Sequence, residues 1–148
     1  MSEKNMLIVR RLLEEVWTQG KLSLLPDLVA ENAVAHPMPN LGALHGVADY
    51  QHFIAIYKGV FHHMVFSIED QFSAEDKVAT RWITRVYDEF GDARQDEHSG
   101  EELAIDGTTL THHDDSGRII AEWATWDTGI LLQSAAAPQV FAQLSIKA

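Results

Sequence analysis

Leu110–Gln133, LTHHDDSGRIIAEWATWDTGILLQ, reads as two strands joined by the tight polar turn Asp114-Asp115-Ser116-Gly117. Side chains alternate in direction along a strand, so counting from Ile119 puts Ala121, Trp123, Thr125 and Asp127 on one face. Ile120, Glu122, Ala124 and Trp126 take the other face. The first face ends in a carboxylate beside a Trp and a Thr. Burial raises the pKa of such a group and makes it useful as a general acid or base near neutral pH. Asp127 is therefore the leading catalytic candidate, with Trp123 as apolar wall and Thr125 beside it. The bland alternative is an Asp that caps the turn into Thr128-Gly129.

The two histidines of the preceding strand point to opposite faces. A two-residue turn gives His112 the face of Trp123 and Asp127, whereas a three-residue turn gives that place to His113. His112 is preferred for that face, and His113 stays in the candidate pocket set.

Outward from this hairpin, GRIIAEWATWDTGILLQ resembles the C-terminal signature of SnoaL-like proteins: a Gly-x-Ile turn, Glu-x-Trp, an Asp four residues after the Trp, then Leu-Leu-Gln. The family takes its name from small cofactor-free polyketide (ester) cyclases. The resemblance implies the nuclear-transport-factor-2-like cone, an α+β fold in which a strongly curved antiparallel or mixed sheet surrounds a pocket closed by about three N-terminal helices. It also implies an acid at Asp127 that takes a proton from a carbon next to a carbonyl, with a His orienting the reacting oxygen and no metal or other cofactor. The stretch Glu75-Asp76-Lys77-Val78-Ala79-Thr80-Arg81 fits the same family. The family's Gly-Thr-His run is replaced here by Thr84-Arg85-Val86.

Earlier in the chain, Met6, Val9, Leu12, Leu13, Val16 and Trp17 form a stripe at helical spacing over Lys4–Gln19, and Gly20 ends it. Arg10 with Glu14 and Arg11 with Glu15 are i,i+4 pairs on the solvent side. A short helix is predicted over Leu24–Ala30, then a strand ending at His36. The resemblance places that histidine at the pocket. Asn40 and His45 fall in a loop that can form the pocket rim. Tyr50, Phe53, Ile54, Tyr57 and Phe61 stripe a third helix over Gly46–His62, and Tyr50 and Tyr57 carry hydroxyls able to reach a ligand.

From Met64 the pattern has period two. Met64, Phe66, Ile68 and Phe72 are predicted to share a face, followed by the strand VATRWITRVY, where Arg81 is read first as a surface ion-pairing residue and alternatively as a pocket cation. Phe90–Gly100 is polar and reads as a loop. In the tail, Ser134–Ala148, the apolar Val140, Phe141, Leu144 and Ile146 suggest an arm packed on a dimer partner.

Composition bounds the rest. A chain of 148 residues, 46% hydrophobic, fits one domain over 1–148. It has no run of about eighteen apolar residues, so no membrane partner is expected, and no secretion signal is visible at the N-terminus. Without cysteine it has no disulfide or thiol chemistry, which suits a cytoplasmic protein. A formal charge of −11 argues against a nucleic-acid partner. Its eight histidines show no tight ligand spacing, and no metal is expected. The predicted partners are a small hydrophobic molecule and a second copy of the chain. The function expected is acid/base chemistry on a hydrophobic carbonyl compound, as a cyclase, isomerase or dehydratase. The alternative is a non-catalytic ligand-binding or dimerisation domain of the same fold.

Overall fold

In the computed structural model, which describes residues 2–38, 42–61, 63–88, 101–132 and 142–143, the N-terminal stripe is one helical run that changes pitch. It begins as α1 (Ser2–Arg11) and continues as a π-helix, Leu12–Thr18. The predicted ion pairs form, Arg10 to Glu14 at 2.8 Å and Arg11 to Glu15 at 3.1 Å. The wider π turn is pinned at its end. Thr18 Oγ1 donates to the Leu13 carbonyl at 2.9 Å and accepts from the Phe66 N–H at 3.0 Å, while Lys58 Nζ donates to the Thr18 carbonyl at 3.0 Å.

A 3₁₀ turn at Leu22–Leu24 leads into α2 (Leu25–Leu28), shorter than predicted because Val29 already opens a strand. That strand is β1 (Val29–His36), followed by β2 (Leu44–His45), α3 (Gly46–Val60), β3 (Met64–Ala74), β4 (Lys77–Asp88), β5 (Glu101–His113), β6 (Ile119–Trp126) and α4 (Thr128–Leu132). The strands make one open sheet in the order β2-β1-β6-β5-β4-β3. Only β1 and β6 pair in parallel; the other neighbours are antiparallel. The architecture is α+β. The core joins the buried faces of the N-terminal helices and α3 to one face of the sheet through Val9, Leu12, Val16, Ile54, Phe61, Val78 and Val86.

Two irregularities decide which side chains meet that core. In β3 the register slips between Ile68 and Asp70, so Met64 and Ile68 stay on the core side while Phe72 emerges outward, 67% exposed. That corrects the predicted common face: an extra residue reverses every later side chain. In the β5–β6 hairpin the register slips again between His113↔Ile119 and His112↔Ala121. Ile119 is buried, yet after the slip it is Glu122 that turns inward and Trp123 that turns out.

Among the described residues no helix is long and apolar enough to cross a membrane. Asn40, the loop Phe90–Gly100 and nearly all of the tail Ser134–Ala148 lie outside the described residues.

Candidate functional site

Between α3, the π-helix and the inner face of the sheet lies a cavity with about 710 Å³ of empty space, its open mouth included. Each wall follows from a periodicity. The π-helix contributes Leu13 and Trp17, four residues apart, and α3 contributes Tyr50, Phe53 and Tyr57 at helical spacing. The sheet supplies Phe66, Trp82, Thr84, Thr109, Glu122, Ala124 and Trp126, all inward positions of their strands.

The aromatic walls meet edge to face. Trp17 lies 6.1 Å from both Phe53 and Tyr57, and Tyr57 lies 6.5 Å from Trp126. Trp82 owes its position to the absence of a side chain at Gly107, where a Cβ would come within 2.3 Å of the indole ring. Its Nε1 donates to Thr109 Oγ1 at 2.8 Å. Trp126 Nε1 donates to the Pro37 carbonyl at 2.9 Å, and the Tyr57 hydroxyl donates to Met38 Sδ at 3.4 Å. The segment after β1 is thereby tied to the cavity wall.

The ionisable centre of the cavity is Glu122. Its carboxylate accepts a hydrogen bond from the Tyr50 hydroxyl, and both groups are buried. Burial pushes the Glu122 carboxyl up to about 7, with the Tyr50 hydrogen bond pulling the other way. Burial likewise raises the Tyr50 phenol well above its ordinary value, helped by the neighbouring carboxylate. Near neutral pH the acid is divided between its two forms while the phenol stays protonated. Among the described lining residues there is no Lys, Arg or His.

The predicted residues divide sharply. Tyr50 and Tyr57 line the cavity. The others do not. Asp127 is exposed, and its Oδ1 accepts from the Gly129 N–H at 3.0 Å, so it caps the turn into α4. Trp123 is 42% exposed on the outer face of the sheet, with Thr125 exposed on the same side. His36 stacks on Trp123 at 5.7 Å, and His112 tilts against the same ring at 5.1 Å. The turn holds three residues, closed by the Asp114 N–H donating to the Arg118 carbonyl at 2.9 Å, which by simple alternation would favour His113. The slip beyond Ile119 instead gives His112 the face of Trp123, and that face looks away from the cavity.

His113 is buried and holds the hairpin together. Its Nδ1 lies 2.7 Å from the Gly117 carbonyl and its Nε2 2.8 Å from Thr111 Oγ1. Because a carbonyl only accepts, Nδ1 carries the proton and Nε2 accepts from the threonine hydroxyl. Burial lowers its pKa, so it stays neutral.

Arg81 and His45 are exposed. No group of three or more His, Asp or Glu converges as a metal site among the described residues. Glu122 is not among the residues that the sequence pattern nominates for the site. The signal that finds it is an acid at the centre of an otherwise apolar strand face, Ile120, Ala124 and Trp126.

This architecture agrees with what comparison finds. The family model for SnoaL-like polyketide cyclase matches residues 7–134, so the chain belongs to that family, whose fold is the nuclear-transport-factor-2-like cone. A candidate polyketide cyclase from Acidithiobacillus ferrooxidans superposes with a TM-score of 0.74 at 22% identity, over 90% of this chain and 96% of that one. A candidate SnoaL-like polyketide cyclase from Jannaschia sp. CCS1 gives 0.76 at 18% identity, over 93% and 94%. IdmH, a candidate polyketide cyclase from Streptomyces antibioticus, gives 0.72 at 21% identity, over 87% and 96%. At these identities the structures show the shared fold. No curated protein matches the chain in sequence.

Proposed function

We propose that the protein is a cofactor-free enzyme that moves a proton at a carbon adjacent to a carbonyl in a small hydrophobic compound, with Glu122 as the transferring acid/base. The observation that carries this reading is a single buried carboxyl, held by Tyr50, in a cavity otherwise walled by aromatic and aliphatic side chains. The ionised carboxylate takes the proton as the C–H bond breaks, and the electron pair moves to the carbonyl oxygen to give an enolate. Glu122 then returns the proton to oxygen or to another carbon, or the enolate carbon attacks an internal electrophile and closes a ring. A carboxyl near 7 serves both halves of such a cycle at neutral pH. Tyr50 is the positioning residue that fixes the carboxyl.

The test is exchange of the α-protons of uncharged hydrophobic ketones with deuterated solvent, followed by NMR. Glu122→Gln is expected to lose about 10²–10⁴-fold in rate, the range for general acid–base catalysis. Asp127→Asn is expected to exchange at the wild-type rate with little change in stability, since the Asn carbonyl oxygen caps the Gly129 N–H as the carboxylate does. Activity that vanishes in Asp127→Asn and survives in Glu122→Gln would sink the assignment. The replacement of the family's Gly-Thr-His run by Thr84-Arg85-Val86 favours a second reading, a binding module without turnover. For that module, ligand binding persists while no ketone exchanges.

We also infer that a second copy covers the outer face of the sheet. Register pairs join His36, Trp123, Leu110, Ala79 and Phe72 into one row across five strands. Beside it the face carries exposed Arg81 and Arg85 together with exposed Asp70 and Asp106. A twofold axis would set those cations against those acids, although the net charge of the whole chain is −11.

A further inference from the structure

We propose that the Glu122 cavity also takes a soft organic cation, a quaternary or N-alkylated ammonium on an aromatic frame. This rests on the reading that the Glu122 cavity is the ligand site, and it adds a charge class to the hydrophobic class already assigned. The geometry gives three reasons.

First, among the described residues the acid has no cationic partner. Its bonded neighbour is the neutral Tyr50 hydroxyl, and the described lining contains no Lys, Arg or His. A buried carboxylate gains most from a counter-charge when none is already present. Second, the rings around it are suited to cations. Trp17, Phe53, Tyr57, Phe66, Trp82 and Trp126 all line the cavity. Neighbouring rings among them meet at 48–83°, so they form a cage of tilted walls rather than one stack. Aromatic faces attract cations, Trp most strongly, and desolvation inside a cavity increases the attraction. Third, the cation must be weakly hydrated. An alkylated ammonium gives up its water at low cost and presents an apolar surface to apolar walls, whereas a bare ammonium does neither.

The titratable surroundings of Glu122 are few. From α3 they are Tyr50 and Tyr57. From β5 the paired residue is Thr111, beyond which His113 is tied up by Thr111 and Gly117. From β1 the paired residue is Ala35. Charge on a bound cation therefore couples to Glu122 first.

The experiment compares phenyltrimethylammonium with its uncharged isostere tert-butylbenzene at pH 8, read by quenching of tryptophan fluorescence. The cation is expected to bind at least about tenfold more tightly, and Glu122→Gln, checked for fold by circular dichroism, is expected to erase the difference. Calorimetry on the wild type at pH 6.5 in buffers of different ionisation enthalpy supplies a readout without any variant: the cation releases protons from Glu122 on binding and the isostere does not. Equal or tighter binding of the isostere overturns the inference, as does a preference that survives Glu122→Gln or cation binding without proton release. Ketone exchange without cation preference removes this inference and leaves the enzyme reading. Cation preference without exchange does the reverse.

Discussion

At Glu122 the cost of burial is itself measurable. Folding lifts its carboxyl from 4.5 to about 7, so between those values the folded chain holds a proton that the unfolded chain has released. Stability from this group is full below about pH 4.5 and is lost as pH rises through 7, a swing of about 3 kcal/mol. Glu122→Gln cannot titrate, so its stability relative to wild type is expected to climb by that order between pH 4.5 and 8 in urea melts. A flat difference would mean the carboxyl is not buried as described. His113 works in the opposite sense. Its folded pKa is depressed, so its contribution is present above the unfolded value of 6.5 and is lost as pH falls below it. The variant comparison isolates Glu122 from that opposing slope.

At the scale of elements, much was legible because periodicity survives folding. The N-terminal stripe, the aromatic face of α3 with Tyr50 and Tyr57, the strand ending at His36 and the hairpin around Asp114–Gly117 are all visible as spacings. The inward face of β6 is misread in the sequence for one physical reason. Alternation counted from buried Ile119 predicts an inward Trp123, and a one-residue slip near Ile120 reverses it. Nothing in the residue types of IIAEW announces that slip. Phe72 was misplaced the same way by the slip in β3. A turn-capping Asp127 and an outward His112 follow directly once β6 is reversed.

The β4–β5 pair carries a further constraint, since Gly107 leaves room for Trp82 where a Cβ would collide with its ring. Gly107→Ala is expected to push the indole into the cavity, break its bond to Thr109 and cost about 1–3 kcal/mol of stability by overpacking. Binding of any cavity ligand, followed by tryptophan fluorescence, weakens with it; unchanged affinity would place the ligand elsewhere.

At the scale of the whole molecule, the inferred second copy rests on the outer face. Trp123 at 42% and Leu110 at 38% exposure sit side by side at the centre of the apolar row. If the second copy sits there, the wild type is expected to run as a dimer in light scattering after gel filtration, and Leu110→Glu with Trp123→Ser to give a monomer with its fold intact. A monomeric wild type would remove the inferred partner.

The sheet is open, and its two borders are unlike ordinary strand edges. One is β2, two residues long, with little backbone to offer. The other, β3, is broken by its slip, carries exposed Glu69 and Asp70 there, and has its Phe66 N–H already satisfied by Thr18. Short, kinked and charged borders resist the addition of foreign strands. The sheet's borders thus guard the chain against runaway fibre growth through edge-to-edge strand addition.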